Sequence, residues 1–382
     1  MSTEYDPWVR LADKGRRAYA AGLCFLDDRP LTNLSEVLGI GTHEGLSRMM
    51  RMSGISEELI TGGASSYDKA EALCRALPLW IGHPYVRAIQ DLIRWTCGTT
   101  RPLTLHTLPE IWRALASRLL SEPLAFTDLP SMAGVERLTV SLTAAELEQL
   151  PEASMPPKGR ELQLLLTDPT GGTLWRSSQC DRLTPQNGGA SMAQAVSRTL
   201  DACVACGCGS VAVDLTRCGA FVRPNPYTPA LAAIRLQRGE TITEEESRLL
   251  IAQTLRLLGG ECVKRGLSLT LLHLHSEALV PLCDYLRGCN CLPDYSAVTH
   301  DPAAVMLSKG SALLEADLLT ARVTLPHQVR DLASSVPLGC LGGLYLPVYG
   351  ALDLPLWAEA VKAVSRCLRE LDEAIPRDLD PC

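Results

Sequence analysis

The feature that most constrains this chain is a repeated alternation of short β-rich runs with helical or mixed segments. Eight such runs stand out: "YAAGLCFL" (Tyr19 to Leu26), "RLTVSLT" (Arg137 to Thr143), "ELQLLLT" (Glu161 to Thr167), "GSVAVDL" (Gly209 to Leu215), "LSLTLLHLH" (Leu267 to His275), "SAVTH" (Ser296 to His300), "DLLTARVTL" (Asp317 to Leu325) and "LGGLYLPV" (Leu341 to Val348). Most are near-continuous apolar runs rather than alternating ones. Parallel strands covered on both faces read this way. Alternating β and α segments give an α/β fold, and eight repeats of the unit favour a closed TIM-type (β/α)8 barrel over an open sheet.

The intervening helices carry start and stop signals. "TITEEESRLLIAQTLRLLGGECVKRG" offers Thr243 as N-cap, acidic residues in the first turn, apolar residues at helical spacing, and Gly266 after the last basic residues. "LPLWAEAVKAVSRCLRELDEA" places Pro355 in a first turn, with Trp357, Val361, Val364, Leu368 and Leu371 on one face. More than a hundred residues separate the first run from the second. "SSYDKAEALCRAL" and "PEIWRALASRLL" within that gap have i, i+3, i+4 apolar spacing. The expected organisation is a barrel of residues 1–29 and 129–382 with a helical insertion after the first strand, 30–128, at the face where barrel active sites form.

The chain has 382 residues, 46% of them hydrophobic, which is ample for a large core. A formal charge of −7 with no basic run argues against a nucleic-acid partner. The opening "MSTEYDPWVRLADKGRRAY" lacks an apolar core of signal-peptide type, and no run is long enough to span a membrane. A cytoplasmic location is expected. The 15 cysteines are scattered through apolar segments, so reduced thiols are the expectation. In "CVACGCG", Cys203, Cys206 and Cys208 have a spacing that can bind zinc or iron–sulfur. The simpler reading packs Cys203 and Cys206 on one helix face, with Cys208 after a helix-ending Gly207.

Nucleotide and hydrolase fingerprints are not supported. "TGGAS" and "CLGGLY" lack GxGxxG spacing between a strand and a helix, and neither GxSxG nor HExxH occurs. Polar groups at expected strand ends are Asp27, Asp28, Asp168, Asp214, Arg217, His273, His275, Glu277, His300 and Asp301. His273 and His275 would share one side of a strand, and with His300 and an aspartate could hold a metal. Alternatively, Asp214 and His275 make a metal-free acid–base pair. In the plainest reading, the histidines are core or rim residues and "HDP" caps a helix.

The segment "LTNLSEVLGIGTHEGLSRMMRMSGISEELITGGASSYDKAEALCRALPLWIGHPYVRAIQDLIRWTCG" resembles the uronate (glucuronate) isomerases, amidohydrolase-like barrels. Its landmarks are "NLSEV", the R-x-x-R of Arg48 and Arg51, "SGISEELITG", "ASSYDKAEAL", "LPLWIGHPYV" and "EIWRALASRL". A second block runs from "PALAAIRLQRGETITEEES" at Pro229 to "GECVKRGLSLTLLHLHSEAL". The resemblance implies aldose–ketose isomerisation of D-glucuronate or D-galacturonate in hexuronate catabolism. A divalent metal, usually zinc, would lie near the substrate oxygens, with basic groups on the carboxylate.

Carried over singly, the family's site positions meet unlike residues. The His-x-His after strand one falls on Leu23 and Phe25. The aspartate and arginine after strand eight fall on Pro347 and Tyr349. An arginine after strand three falls near Asp168, and a Ser-Asp-His after strand four falls on Val211, Ala212 and Val213. A tyrosine of the helical segment falls on Gly45. A Trp-rich stretch after strand seven has no counterpart in "LLTARVTLPHQ". The strand-five histidine falls on His275, and Arg48 and Arg51 match.

The expectation is therefore a uronate isomerase-like barrel with impaired catalysis and no metal cofactor. His275 and Asp214 are the catalytic candidates, and Arg48 and Arg51 the substrate-binding ones. The alternative is a non-catalytic sugar-acid-binding or partner homologue. If active, its partner is a small hexuronate. A homo-oligomer is expected by analogy.

Overall fold

A computed structural model describes residues 17–21, 23–147, 149–150, 159–177, 180–216, 218–225, 227–273, 276–299, 301–307, 312–335 and 341–373. Its strands are β1 (Arg17–Ala21), β2 (Arg137–Leu142), β3 (Arg160–Leu166), β4 (Cys208–Asp214), β5 (Ser268–Leu272), β6 (Tyr295–Thr299), β7 (Ala312–Glu315), β8 (Leu341–Tyr345) and β9 (Pro347–Val348). Their order in the sheet is β8-β7-β6-β5-β4-β3-β2-β1-β9. The described pairings are parallel. Helices follow the strands in sequence. This is the α/β barrel architecture expected from the repeats.

By compactness the chain divides into two units. One comprises 1–14, 139–315 and 332–345; the other comprises 15–138, 316–331 and 346–382. The first holds the run of strands from β3 to β8. Leu162, Leu164 and Leu166 are buried on one face of β3, and Val211, Ala212 and Val213 are buried in β4. On the other face of β3, buried Gln163 donates to Ser210 Oγ (3.0 Å) and Thr270 Oγ1 (2.9 Å) and accepts from Ser141 Oγ (3.2 Å). Every polar atom of that amide's reach is satisfied, so an otherwise costly buried group is tolerated. In this unit the helix Glu244–Arg265 begins at Thr243, whose side chain accepts from Glu246 N–H while Glu246 reaches back, and ends at Gly266 with φ 68°. Both ends follow the sequence signals.

The second unit contains β1 and β9, in register at Tyr19–Pro347 and Ala20–Val348. It also contains helices Ser66–Ala76, Pro84–Cys97 and Leu108–Ser121, and the long helix Asp353–Glu373, which buries Trp357, Val364 and Leu368. Arg87 pairs with Glu359 at 3.0 Å, joining helices Pro84–Cys97 and Asp353–Glu373.

Several strand boundaries differ from expectation. The seventh strand is not Asp317 to Leu325 but the short apolar run Ala312–Glu315. Asp317 instead accepts from Leu319 N–H through Oδ1, forming a turn that leads into the helix Ala321–Ser335. The β-branched residues Val323 and Thr324 suggested a strand, and this local turn chemistry overrode them. The first strand stops at Ala21, and Leu23–Leu26 forms a 3-10 turn. The fifth stops at Leu272, where His273 takes φ 58°. Strand alternation is therefore broken at His273; His275 lies outside the described residues. The eighth run is split at Leu346 into β8 and β9. Among the described residues, no helix is long and apolar enough to cross a membrane.

Candidate functional site

Three titratable residues stand at the C-terminal ends of strands in the first unit, two of them in contact. Asp214 ends β4, Glu315 ends β7, and His273 directly follows β5. His273 Nδ1 lies 2.8 Å from Glu315 Oε2. Strand β6 lies between β5 and β7, so this contact reaches across the end of β6. The carboxylate partner places the imidazole proton on Nδ1 and leaves the Nε2 lone pair free. The hydrogen bond and charge of Glu315, with a further pull from Asp214, raise the His273 pKa against the opposing effect of burial. The His273 side chain is 36% exposed. Its left-handed backbone, rare outside glycine, costs roughly 1–2 kcal/mol.

Asp214 uses one oxygen locally. Its Oδ1 accepts from Thr216 N–H (2.9 Å) and Oγ1–H (2.6 Å). The other strand-end carboxylates are spent on local turns and helix starts. Asp168 accepts from Thr170 and from Gly172 N–H, at the start of helix Gly172–Arg176. Asp301 Oδ1 accepts from Ala303 N–H in the first turn of Pro302–Leu307. Asp27 is clamped by Arg29, and Asp28 accepts from Thr127. Arg217, His275 and His300 lie outside the described residues.

The arginine candidates lie on the helix Glu44–Met52 of the second unit. Arg51 is held by Glu57 through two hydrogen bonds of 2.9 and 2.8 Å, and Glu44 stands 3.6 Å away. That pairing drives the Glu57 carboxyl down to about 2, with a hydrogen bond from Thr61 contributing. Arg48 is exposed and, among the described residues, makes no ion pair.

A buried pair in the same unit escaped sequence reasoning. His43 Nε2 meets Asp353 Oδ1 at 2.9 Å, with both side chains about 5% exposed. His43 Nδ1 accepts Leu46 N–H as the N-cap of Glu44–Met52, so the ring proton is on Nε2 and points at Asp353. Asp353 Oδ2 accepts Tyr349 N–H at 2.8 Å. The available signal was local: "THEG" and "ALDLP" each put a capping residue before a helical run.

The residues at the implied metal positions do not fit a metal. Phe25 is fully buried, its ring edge-on to Phe126 at 5.2 Å. Val211 and Val213 are fully buried, and Leu23 is half-buried. None of these side chains carries a donor atom. Among the described residues, no three His, Cys, Asp or Glu side chains are grouped to hold a metal. Cys203 and Cys208 are buried where a helix hands over to β4, and burial pushes the nearby Cys262 thiol up to about 12. At Gly45, a Cβ would collide with the Tyr85 hydroxyl, so the space beside that backbone is already filled.

Residues 24–149 match the family model described as glucuronate isomerase. Over that stretch the chain is similar to the uronate isomerases. A uronate isomerase of Bacillus licheniformis is 32% identical over 115 residues, covering 30% of this chain and 24% of that protein. One from Caldanaerobacter subterraneus subsp. tengcongensis is 41% identical over 96 residues, 25% of this chain and 20% of the relative. The matched stretch thus spans about a quarter of these relatives' length. In fold the likeness extends further. The crystal structure of uronate isomerase from Thermotoga maritima superposes with TM-score 0.71 at 16% identity, covering 97% of this chain and 92% of that one. Glucuronate isomerase from Caulobacter crescentus gives 0.68 at 13% identity, with 97% and 88% covered.

Proposed function

We propose that this chain is a cytoplasmic uronate isomerase-like barrel in which metal-assisted isomerisation of D-glucuronate and D-galacturonate is weak or lost, while a sugar acid is still bound. The observation that carries the reading is Phe25. A fully buried ring packed on Phe126 stands where the resemblance implies a metal ligand. Val211 and Val213 repeat the pattern at β4. A metal would polarise the sugar carbonyl and stabilise the enediolate, and these side chains cannot hold one. Strands β3 to β8 lie outside the stretch that matches the family model. Of the two arginine candidates in that stretch, exposed Arg48 is the one left to meet a carboxylate, since Arg51 is committed to Glu57.

The test is ketose formation from both hexuronates by protein purified without chelator, with and without added zinc or manganese, alongside metal analysis. The expected result is no metal-dependent turnover and less than stoichiometric metal. One zinc per chain with zinc-dependent turnover would overturn the proposal.

A further inference from the structure

Two histidines among the described residues are held by carboxylates, and they differ in what remains free. His43 uses both ring nitrogens and is buried. His273 uses only Nδ1 among the described residues, and its ring is partly open to solvent. It stands at the strand ends with a left-handed backbone that no glycine supplies. Strain of this kind persists where the surroundings hold a residue for a purpose. Asp214, near enough to act on His273, has Oδ2 unpartnered among the described residues. A base with a free lone pair and its orienting carboxylate are therefore in contact, with a second acceptor on the adjacent strand, where Asp214 pairs in register with Leu272 beside His273. No metal is needed for what they can do together.

We propose that His273, oriented by Glu315, is a general base that opens the ring of a reducing sugar, with Asp214 accepting a hydrogen bond from a second hydroxyl. The anomeric hydroxyl is the most acidic hydroxyl of such a sugar, which makes it the natural target of an imidazole. Nε2 takes the proton from the anomeric O–H. The electron pair of that bond forms the C1 carbonyl as the bond from C1 to the ring oxygen breaks. The ring oxygen keeps the electron pair of the broken bond and takes a proton back from the imidazolium. Closure on the other face of the carbonyl returns the opposite anomer. No oxidant, reductant or co-reactant is consumed. The two carboxylates select for hydroxyl groups at this spot, so the ligand's ring, rather than any carboxyl group, belongs there. The inference stands whether or not hexuronate isomerisation survives.

Exchange spectroscopy by NMR between the α and β anomers of D-glucose and of D-glucuronate tests it. The wild-type protein is expected to speed exchange above buffer. His273→Asn, chosen because asparagine tolerates the left-handed backbone, is expected to lower the protein-dependent rate by about 100-fold. Its melting curve reports whether the fold is intact. Glu315→Gln tests positioning. It removes the charge that favours the imidazolium, so the acidic limb of the rate profile should move to lower pH. Among the described residues, Glu315 and Asp214 are the groups acting on His273, so Asp214→Asn should shift the limb in the same direction by less. Wild-type exchange no faster than buffer, or an intact His273→Asn with unchanged rate, would overturn the proposal. Ketose signals in the same spectra report separately on isomerisation.

Discussion

His43 and His273 meet carboxylates at 2.9 and 2.8 Å, yet their surroundings make them different residues. The buried pair is structural. Removing His43 strands the Asp353 carboxylate out of water, so His43→Ala should destabilise the protein by about 3–5 kcal/mol in denaturant titration. Asp353→Asn should cost less, because an amide oxygen still accepts from His43 or Tyr349. In the double variant, His43→Ala with Asp353→Ala, the loss should be smaller than the sum of the single losses. Arg51 and Glu57 make a second residue-scale prediction. The Glu57 carboxyl is depressed to about 2 by its hydrogen bonds with Arg51 and Thr61. A depressed carboxyl adds stability above its ordinary range and loses it as pH falls toward that value. Both groups are exposed, so the readout is the titration itself. In Arg51→Ala the Glu57 midpoint, followed by carboxyl-carbon NMR, should rise toward the usual carboxylate range. A midpoint that stays near 2 would show that Arg51 is not the cause.

At the scale of elements, the helix Glu244–Arg265 shows how local signals and packing divide the work. Its cap and its end were legible because Thr243, Glu246 and Gly266 act on their own neighbourhood. Thr243→Ala should cost about 1 kcal/mol. Gly259 was not legible. Mid-helix glycine ordinarily weakens a helix, and alanine there should gain about 1 kcal/mol from propensity. Here a Cβ at position 259 would collide with the carbonyl oxygen of Cys291. Gly259→Ala should therefore destabilise the protein, with a lowered denaturation midpoint. A stabilised variant would mean that the loop gives way cheaply. The seventh strand failed for a related reason. "ARVTL" has strand-type composition, but the Asp317 turn and the approach to a helix outweigh it, while Ala312–Glu315 is too short to announce itself. The fold class survived that error because the other apolar runs overlap strands of one parallel sheet.

At the scale of the molecule, fold and site were readable to different degrees. Apolar runs covered on both faces reveal a parallel α/β barrel with little help from individual residues. A site depends on which side chains converge, and that is set by strand ends. His275 stood out by its match to the family's strand-five histidine, whereas β5 ends at Leu272 and the contact with Glu315 is made by His273. The pairing of His273 with Glu315 spans 42 positions in sequence and crosses the end of β6, so no spacing rule reveals it. Sequence likeness to the glucuronate isomerase model covers 24–149, whereas the likeness of fold covers 97% of the chain. A fold shared at 16% identity shows that core packing tolerates many sequences, whereas metal coordination tolerates few. Ligand-dependent melting separates the two. A ligand at a hundred times its Kd adds roughly 2.7 kcal/mol to stability, which for a chain of this length raises Tm by about 3 °C. D-Glucuronate should produce a shift of that order without metal, and zinc alone should produce none. A zinc shift that grows with concentration and disappears with chelator would mean that a metal centre exists in spite of Phe25. In that case the buried ring marks a relocated site rather than a lost one.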